Sequence, residues 1–198
     1  MGSPDPYLLM PSPEEILWHA AWNGDLPAIR ECLEKGGVIN SRSFNDSAPL
    51  EAAAYNAQAA ACDLLLQSGA NPDATHAPTG ETVLHQVITK AGDPRRTHIV
   101  KALIAAGADV NRQTIPGAAT QSFARDIRTR GETALHRAAA YGDADMIAAL
   151  LAAGADKSAR DTNGDSPLTW ASWHLRDNAI LRSLLFGEFE GSIPESCP

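Results

Sequence analysis

The sequence predicts an all-α solenoid, in which short helix–turn–helix units stack side by side and none makes a core alone. Three observations predict it. A leucine followed by small residues recurs at Leu17, Leu50, Leu84, Leu135 and Leu168, at intervals of 33, 34, 51 and 33 residues, and a fixed period of this length marks a stacked-repeat architecture. A second apolar set follows each leucine in helical register. Four of the five units then close on a glycine turn, "KGGVIN", "SGANPD", "AGADVN" and "AGADKS", where glycine supplies the left-handed helix cap at little steric cost.

Residues 1–13 read as an N-terminal extension. The first unit, 14–46, pairs "LWHAAWNGD" with a helix marked by Ile29, Cys32 and Leu33. The second, 47–79, pairs "LEAAAYNAQ" with Cys62, Leu65 and Leu66, and the third, 80–112, pairs "LHQVITKAG" with Val100, Leu103 and Ile104. The fourth, 130–163, pairs "LHRAAAYGD" with Ile147, Leu150 and Leu151, and the fifth, 164–186, pairs "LTWASWHLR" with Ile180 and Leu184. Residues 187–198 are a tail. Ala20/Ala21, Ala53/Ala54 and Ala138/Ala139 are small where neighbouring first helices must approach closely, so each added unit extends one continuous core.

Two stretches exceed the period. "RQTIPGAATQSFARDIRTR" carries about 14 residues more than the step from Gly154 to Gly164, which makes 113–130 an inserted loop. A smaller insertion of 4 residues falls in "TKAGDPRRTH", between the helices of the third unit. Such insertions map to loops on one face of a solenoid, often the binding face.

"GETALHRAAAYG", "GETVLH", "AGADVN" and "NGDSPLTWAS" together resemble the ankyrin repeat, over roughly residues 14–186. The resemblance implies an ankyrin-repeat solenoid of about five repeats with hairpin loops and one long inserted loop. It implies that the motif His and the preceding Thr, here His85 with Thr82 and His136 with Thr133, tie the turn together. The second repeat has Glu51 and Ala48 at those positions, so that network is expected to be broken there and the repeat to be soft. Polar residues such as Glu14, Glu15, Arg182 and Glu188 are expected to cap the two ends.

The resemblance also implies that the residues ending each first helix look into a concave groove. These are Trp22/Asn23, Tyr55/Asn56, Ala140/Tyr141 and Trp173/His174, and Trp18 and Trp170 one turn earlier are expected to pack between repeats. Hairpin-tip residues Phe44, Asn45, His76, Thr79, Thr162 and Asn163 are further groove candidates. In the insertion, Phe123 offers an apolar anchor beside Arg125, Arg128 and Arg130, and aromatic plus Arg is the composition of interface hot spots.

Charge points to the partner. Residues 90–130 carry eight basic against three acidic residues, a balance of +5, which leaves −13 for the rest of a chain of net charge −8. The acidic flanks would repel phosphates, so an acidic protein surface fits better than nucleic acid. At 198 residues and 44% hydrophobic the chain can bury one core. No apolar run approaches 18 residues and the start lacks a secretory pattern, so a cytoplasmic protein with no membrane contact, monomeric on its own, is expected. Cys32, Cys62 and Cys197 form neither a disulfide framework nor metal spacing and read as buried thiols.

No nucleophile elbow, zincin, Walker or dinucleotide motif occurs, and "DTNGD" at Asp161 lacks the closing Glu of an EF-hand. No enzyme, cofactor or metal is therefore expected. The function read from the sequence is a protein-binding module or adaptor that presents the groove aromatics and the basic insertion. Two other readings stand beside it: a small-molecule or enzymatic pocket formed by Trp22, Tyr55, Tyr141, Trp173 and His174, and a structural subunit of a larger assembly.

Overall fold

A computed structural model describes residues 12–43, 46–88, 93–120 and 127–186. Among these, ten helices and four short strands follow one another: α1 (Pro13–Asn23), α2 (Leu26–Glu34), α3 (Pro49–Tyr55), α4 (Ala59–Gln67), β1 (Thr75–His76), β2 (Glu81–Thr82), α5 (Val83–Ile88), α6 (Pro94–Ala105), β3 (Ala119–Thr120), β4 (Ile127–Arg128), α7 (Ala134–Tyr141), α8 (Ala144–Ala152), α9 (Pro167–Trp173) and α10 (Asn178–Ser183). The molecule is thus mostly helical rather than all-α. Strands β1 and β2 pair antiparallel, as do β3 and β4, each over two residues.

The helices form two layers. In one, α1 packs on α3, α3 on α5, α5 on α7 and α7 on α9; in the other, α2, α4, α6, α8 and α10 follow in the same order. Sequence chemistry sets the boundaries. Ser12 and Glu15 form a reciprocal capping box on α1, while Asp25, Asp143 and Asp177 each accept a hydrogen bond from the backbone N–H three residues on. Gly36, Gly69, Gly107 and Gly154 end the second helices at φ between +85° and +91°.

The register read from the sequence places the core. Leu17, Leu50, Leu84 and Leu135 are at most 1% exposed, and the alanine pairs of α1, α3 and α7 are buried between first helices. In the second helices Ile29, Cys62, Leu65, Val100, Leu103, Ile147, Leu150, Ile180 and Leu184 are buried, whereas Leu33, Leu66, Ile104 and Leu151 pack at the edge of the same cluster. Burial pushes the Cys62 thiol up to about 12, so it stays protonated; Cys32 is half-buried. No helix among the described residues is long and apolar enough to cross a membrane.

The turn network implied by the motif is present at His85 and His136. The Thr82 N–H donates to His85 Nδ1 at 3.2 Å and the Thr133 N–H to His136 Nδ1 at 3.1 Å. An amide donor at Nδ1 places the ring proton on Nε2, which donates to the Glu132 carbonyl from His85 and to the Asp165 carbonyl from His136. The expectation of a broken network in the second unit is corrected. There the Glu51 carboxylate accepts from the Ala48 N–H at 2.7 Å, from Arg42 at 3.1 Å and from Gln86 at 3.1 Å, so a charged group does the work of the Thr–His pair and reaches into the next unit.

Candidate functional site

The last carbonyls of an α-helix lack intrahelical partners. Here the following unit supplies them. The Trp22 carbonyl accepts from the side chains of Asn56 at 3.0 Å and Gln58 at 3.3 Å, and the Tyr55 carbonyl accepts from Arg96 at 2.8 Å. The Ala140 carbonyl accepts from Arg176 at 2.8 Å, and the Gly142 carbonyl accepts from the same guanidinium. The ends of α1, α3 and α7, which carry the aromatic residues, are therefore held by side chains of their neighbours. Asn56 gives its Nδ2 to the Trp22 carbonyl. One sequence reading changes in consequence: Arg96, which is 5% exposed, belongs to the interior rather than to a basic surface.

The aromatic residues fall into two groups. Trp18 and Trp22 stack with centroids 5.1 Å apart and planes 22° apart, and Trp22 stacks on Tyr55 at 5.8 Å and 19°. Trp18 is 6% exposed, as expected for a residue packed between units, and its indole N–H donates to Ser47. Trp22 and Tyr55 are half-buried and line a cavity of about 570 Å³. Tyr141 and His174 form a second group, edge to face at 4.7 Å; burial raises the Tyr141 phenol, and burial with the nearby Arg176 cation lowers His174. Tyr141, Trp173 and His174 are not among the residues lining the cavity, so the five aromatic and histidine side chains do not enclose one common pocket. Trp173 is 56% exposed, and Asn23 is exposed at the end of α1.

The same cavity is lined by Glu51, Glu81, His76 and Gln86, and by Ala119 of β3. Glu81 leads into a cluster that the sequence reading missed. Arg137, 0% exposed, bonds Glu81 at 2.6 Å and Glu132 at 2.5 Å, and donates to the His85 carbonyl at 3.1 Å. Burial alone would push the Glu132 carboxyl up, but Arg137, the Arg130 N–H and Thr114 hold it down to about 2. The same burial and the Arg137 cation push His85 down to about 4. The only sequence signal for this cluster was an Arg inside the otherwise small and apolar stretch "LHRAAAYG".

The 113–130 segment is fastened to this cluster at its base. Thr114 donates to Glu132 at 2.8 Å, Thr120 to Glu81 at 2.8 Å, and the Ile115 N–H to the Thr79 carbonyl at 2.8 Å. Thr79, read from the sequence as a groove candidate, is 1% exposed, lines the cavity together with His76, and accepts this bond at its carbonyl. Arg128 is exposed, with its guanidinium donating to the Gly117 carbonyl at 2.7 Å. Phe44, Asn45, Phe123 and Arg125 lie outside the described residues. Outside this segment, Arg95 is held by Asp93 at 2.7 Å, so the basic residues of 90–130 do not form one free patch. Asp161, in the stretch that faintly matched a calcium loop, accepts from the Asn163 and Asp165 N–H groups and from the Trp170 indole; it organises a turn.

The family described as "Ankyrin repeats (3 copies)" matches residues 17–114 and 115–192. The chain is similar to the BRCA1-associated RING domain protein 1 of Caenorhabditis elegans, 28% identical over 112 residues, which cover 57% of this chain and 15% of that protein. It is 33% identical to human Rabankyrin-5 over 90 residues, 44% of this chain and 7% of that protein. It is 27% identical to the mouse B-cell lymphoma 3 protein homolog over 174 residues, 87% of this chain and 35% of that protein. The chain thus spans only a small part of the length of each of these relatives.

Proposed function

Because the chain belongs to the ankyrin repeat family, whose repeats generally mediate protein–protein interaction, we propose that it is a five-repeat, non-enzymatic binding module, with repeats bounded as the sequence suggests. Its contact surface is the row of first-helix ends carrying Trp22, Tyr55, Tyr141, Trp173 and His174. The observation that carries this reading is the Trp22–Tyr55 stack, half-exposed beside a cavity and held from behind by Asn56, Gln58 and Arg96. Rings fixed before a partner arrives lose little freedom on binding. The 113–130 segment stands next to this cavity through Ala119, and its exposed Arg128, with Phe123 and Arg125, gives it an affinity for an acidic patch on the same partner. Exposed arginine–carboxylate pairs contribute about 0–1 kcal/mol each, so these residues act mainly on association rate.

The cavity volume lies in the ligand-pocket range of roughly 300–1,000 Å³, which favours a small molecule as the second reading. Selection of peptides from a displayed random library separates the two. Protein binding predicts enriched peptides that lose at least tenfold in affinity for the Trp22→Ala/Tyr55→Ala variant while its far-ultraviolet circular dichroism is unchanged. Enriched peptides that bind this variant and a Tyr141→Ala/Trp173→Ala variant as well as the parent chain would remove the groove from the site.

A further inference from the structure

We propose that the outer face of the first unit is a docking surface filled by the chain's own Tyr7–Met10, a stretch that lies outside the described residues. The inference goes beyond the groove reading and shares no residue with it. A cavity of about 350 Å³ opens between α1 and α2, lined by Pro13 and Ile16 of α1, by Ala28 and Cys32 of α2 and by the turn after α2. These are positions that the rest of the stack keeps dry. Ile16 is 41% exposed, whereas Pro49, Val83, Ala134 and Pro167, which stand before the leucine in the later units, are all buried. Ala28 and Cys32 are half-buried, whereas their equivalents in the next three units, Ala61 and Leu65, Ile99 and Leu103, Met146 and Leu150, are buried. The first unit differs in that, among the described residues, no unit packs ahead of α1 and α2. It therefore ends the stack with apolar positions that gain from being covered, since removing such surface from water is favourable in proportion to its area.

The entry of the chain into α1 points to what covers this face. Ser12 is the N-cap, extended at φ −63° and ψ 156°, and forms the reciprocal capping box with Glu15. In such a box the residue before the cap often packs on the fourth helical residue, which fixes the angle at which the chain arrives. The fourth residue here is Ile16, and the first, Pro13, lines the cavity as well. The chain thus reaches α1 across the cavity rather than along the helix axis. Pro11 and Pro13 keep that approach extended, because a proline disfavours helix in the residue before it. Met10 and Tyr7 precede Pro13 by three and six residues, about 10–20 Å of extended chain, so the run Tyr-Leu-Leu-Met falls on the face directly. Its four side chains carry no charge, and such an occupant leaves the Glu31–Lys35 ion pair at the cavity, 2.5 Å long, undisturbed.

Cys32 reports whether the face is covered, because it lines the cavity, while Cys62, buried in the next unit, does not. The full chain is treated with iodoacetamide, a small neutral alkylating agent, and the rates at the two cysteines are read separately by peptide mass spectrometry. The parent is compared with Leu8→Ser/Leu9→Ser, which alters no described residue. A segment docked for roughly 80–95% of the time protects what lies beneath it about fivefold to twentyfold. Cys32 should react faster in the variant by that factor, with Cys62 unchanged and both proteins sedimenting as monomers.

Equal rates at Cys32 would overturn the proposal and leave the face open to another protein. An acceleration shared by Cys62 would mean a loosened unit rather than an undocked segment. A parent that sediments as a dimer, with Cys32 protection lost on dilution, would put a second copy in the cavity instead. Either of these results overturns the proposal as well.

Discussion

Replacing Arg137 by methionine tests whether the buried charge cluster is held together as its geometry implies. The guanidinium is fully buried and bonds Glu132 through two of its nitrogens, at 3.0 and 2.5 Å, and Glu81 at 2.6 Å. Methionine fills much of the same space but takes away the cation that two carboxylates, each at most 2% exposed, share. Breaking a buried pair in this way costs about 3–5 kcal/mol. The Thr114 and Thr120 hydroxyls still donate to the two carboxylates, which places the expected loss at the lower end, about 3 kcal/mol at pH 7.

The gap between variant and parent then depends on pH. Without Arg137, burial favours the neutral Glu132 carboxyl against the Arg130 N–H and Thr114, which still favour its anion, so the variant regains ground on the parent as pH falls from 7 to 5. Both chains lose stability over this window through the buried histidines. In the parent, His85 is held down to about 4 from an ordinary 6.5, so the unfolded state protonates first. Urea unfolding at pH 7 and pH 5, followed by circular dichroism and tryptophan fluorescence, measures both. A loss below about 1 kcal/mol at pH 7, or a gap between variant and parent that is the same at both pH values, would refute the account.

In the parent chain the urea midpoint should fall as pH drops from 6.5 towards 4, because His85 and His136 are both depressed by burial, and fall further below 4.5 as Glu132 is titrated towards about 2; a flat midpoint between pH 6.5 and 4 would contradict the neutral, Nε2-protonated assignment. Leu150→Ala removes a fully buried side chain from α8 and should cost about 2–5 kcal/mol, with Leu151→Ala costing less because Leu151 is only partly buried; urea unfolding that ranks them in reverse would mean a different helix face is buried. Gly80→Ala places a Cβ at φ +66° and within 2.8 Å of Ile115 Cγ1, so the 113–130 segment should be pushed off its seat and trypsin should cleave it several times faster, a rate that stays unchanged if the segment is not fastened there.

The helices were legible because their signals are local. Leucines recur at the period of the stack, alanines mark close approach, and aspartate and serine caps sit where helices begin, so the register of Leu17, Leu50, Leu84 and Leu135 follows from spacing alone. The candidate site was legible only as positions. That Trp22 and Tyr55 end their helices could be read, but that they stack on each other while Tyr141 pairs with His174 depends on how successive units turn. Side chains that meet across long separations were missed altogether, since Glu81 and Arg137 lie 56 residues apart and nothing in the local pattern of either names the other. Leu168, in register with the buried leucines, is only half-buried, because among the described residues no further first helix packs beyond α9.

The carbonyls that end α1, α3 and α7 are each completed by a side chain from the unit that follows, Asn56 and Gln58, then Arg96, then Arg176. This gives the stack a direction. A shortened chain that stops after α8 strips Ala140 and Gly142 of their guanidinium and frays the aromatic end of α7, whereas one that starts at α3 keeps the carbonyls at the ends of α3 and α7 completed and instead costs Glu51 its Arg42 partner. Like overlapping roof tiles, each unit covers the end of the one before it, and the ring positions that a partner would meet stay rigid only while the unit behind them is in place.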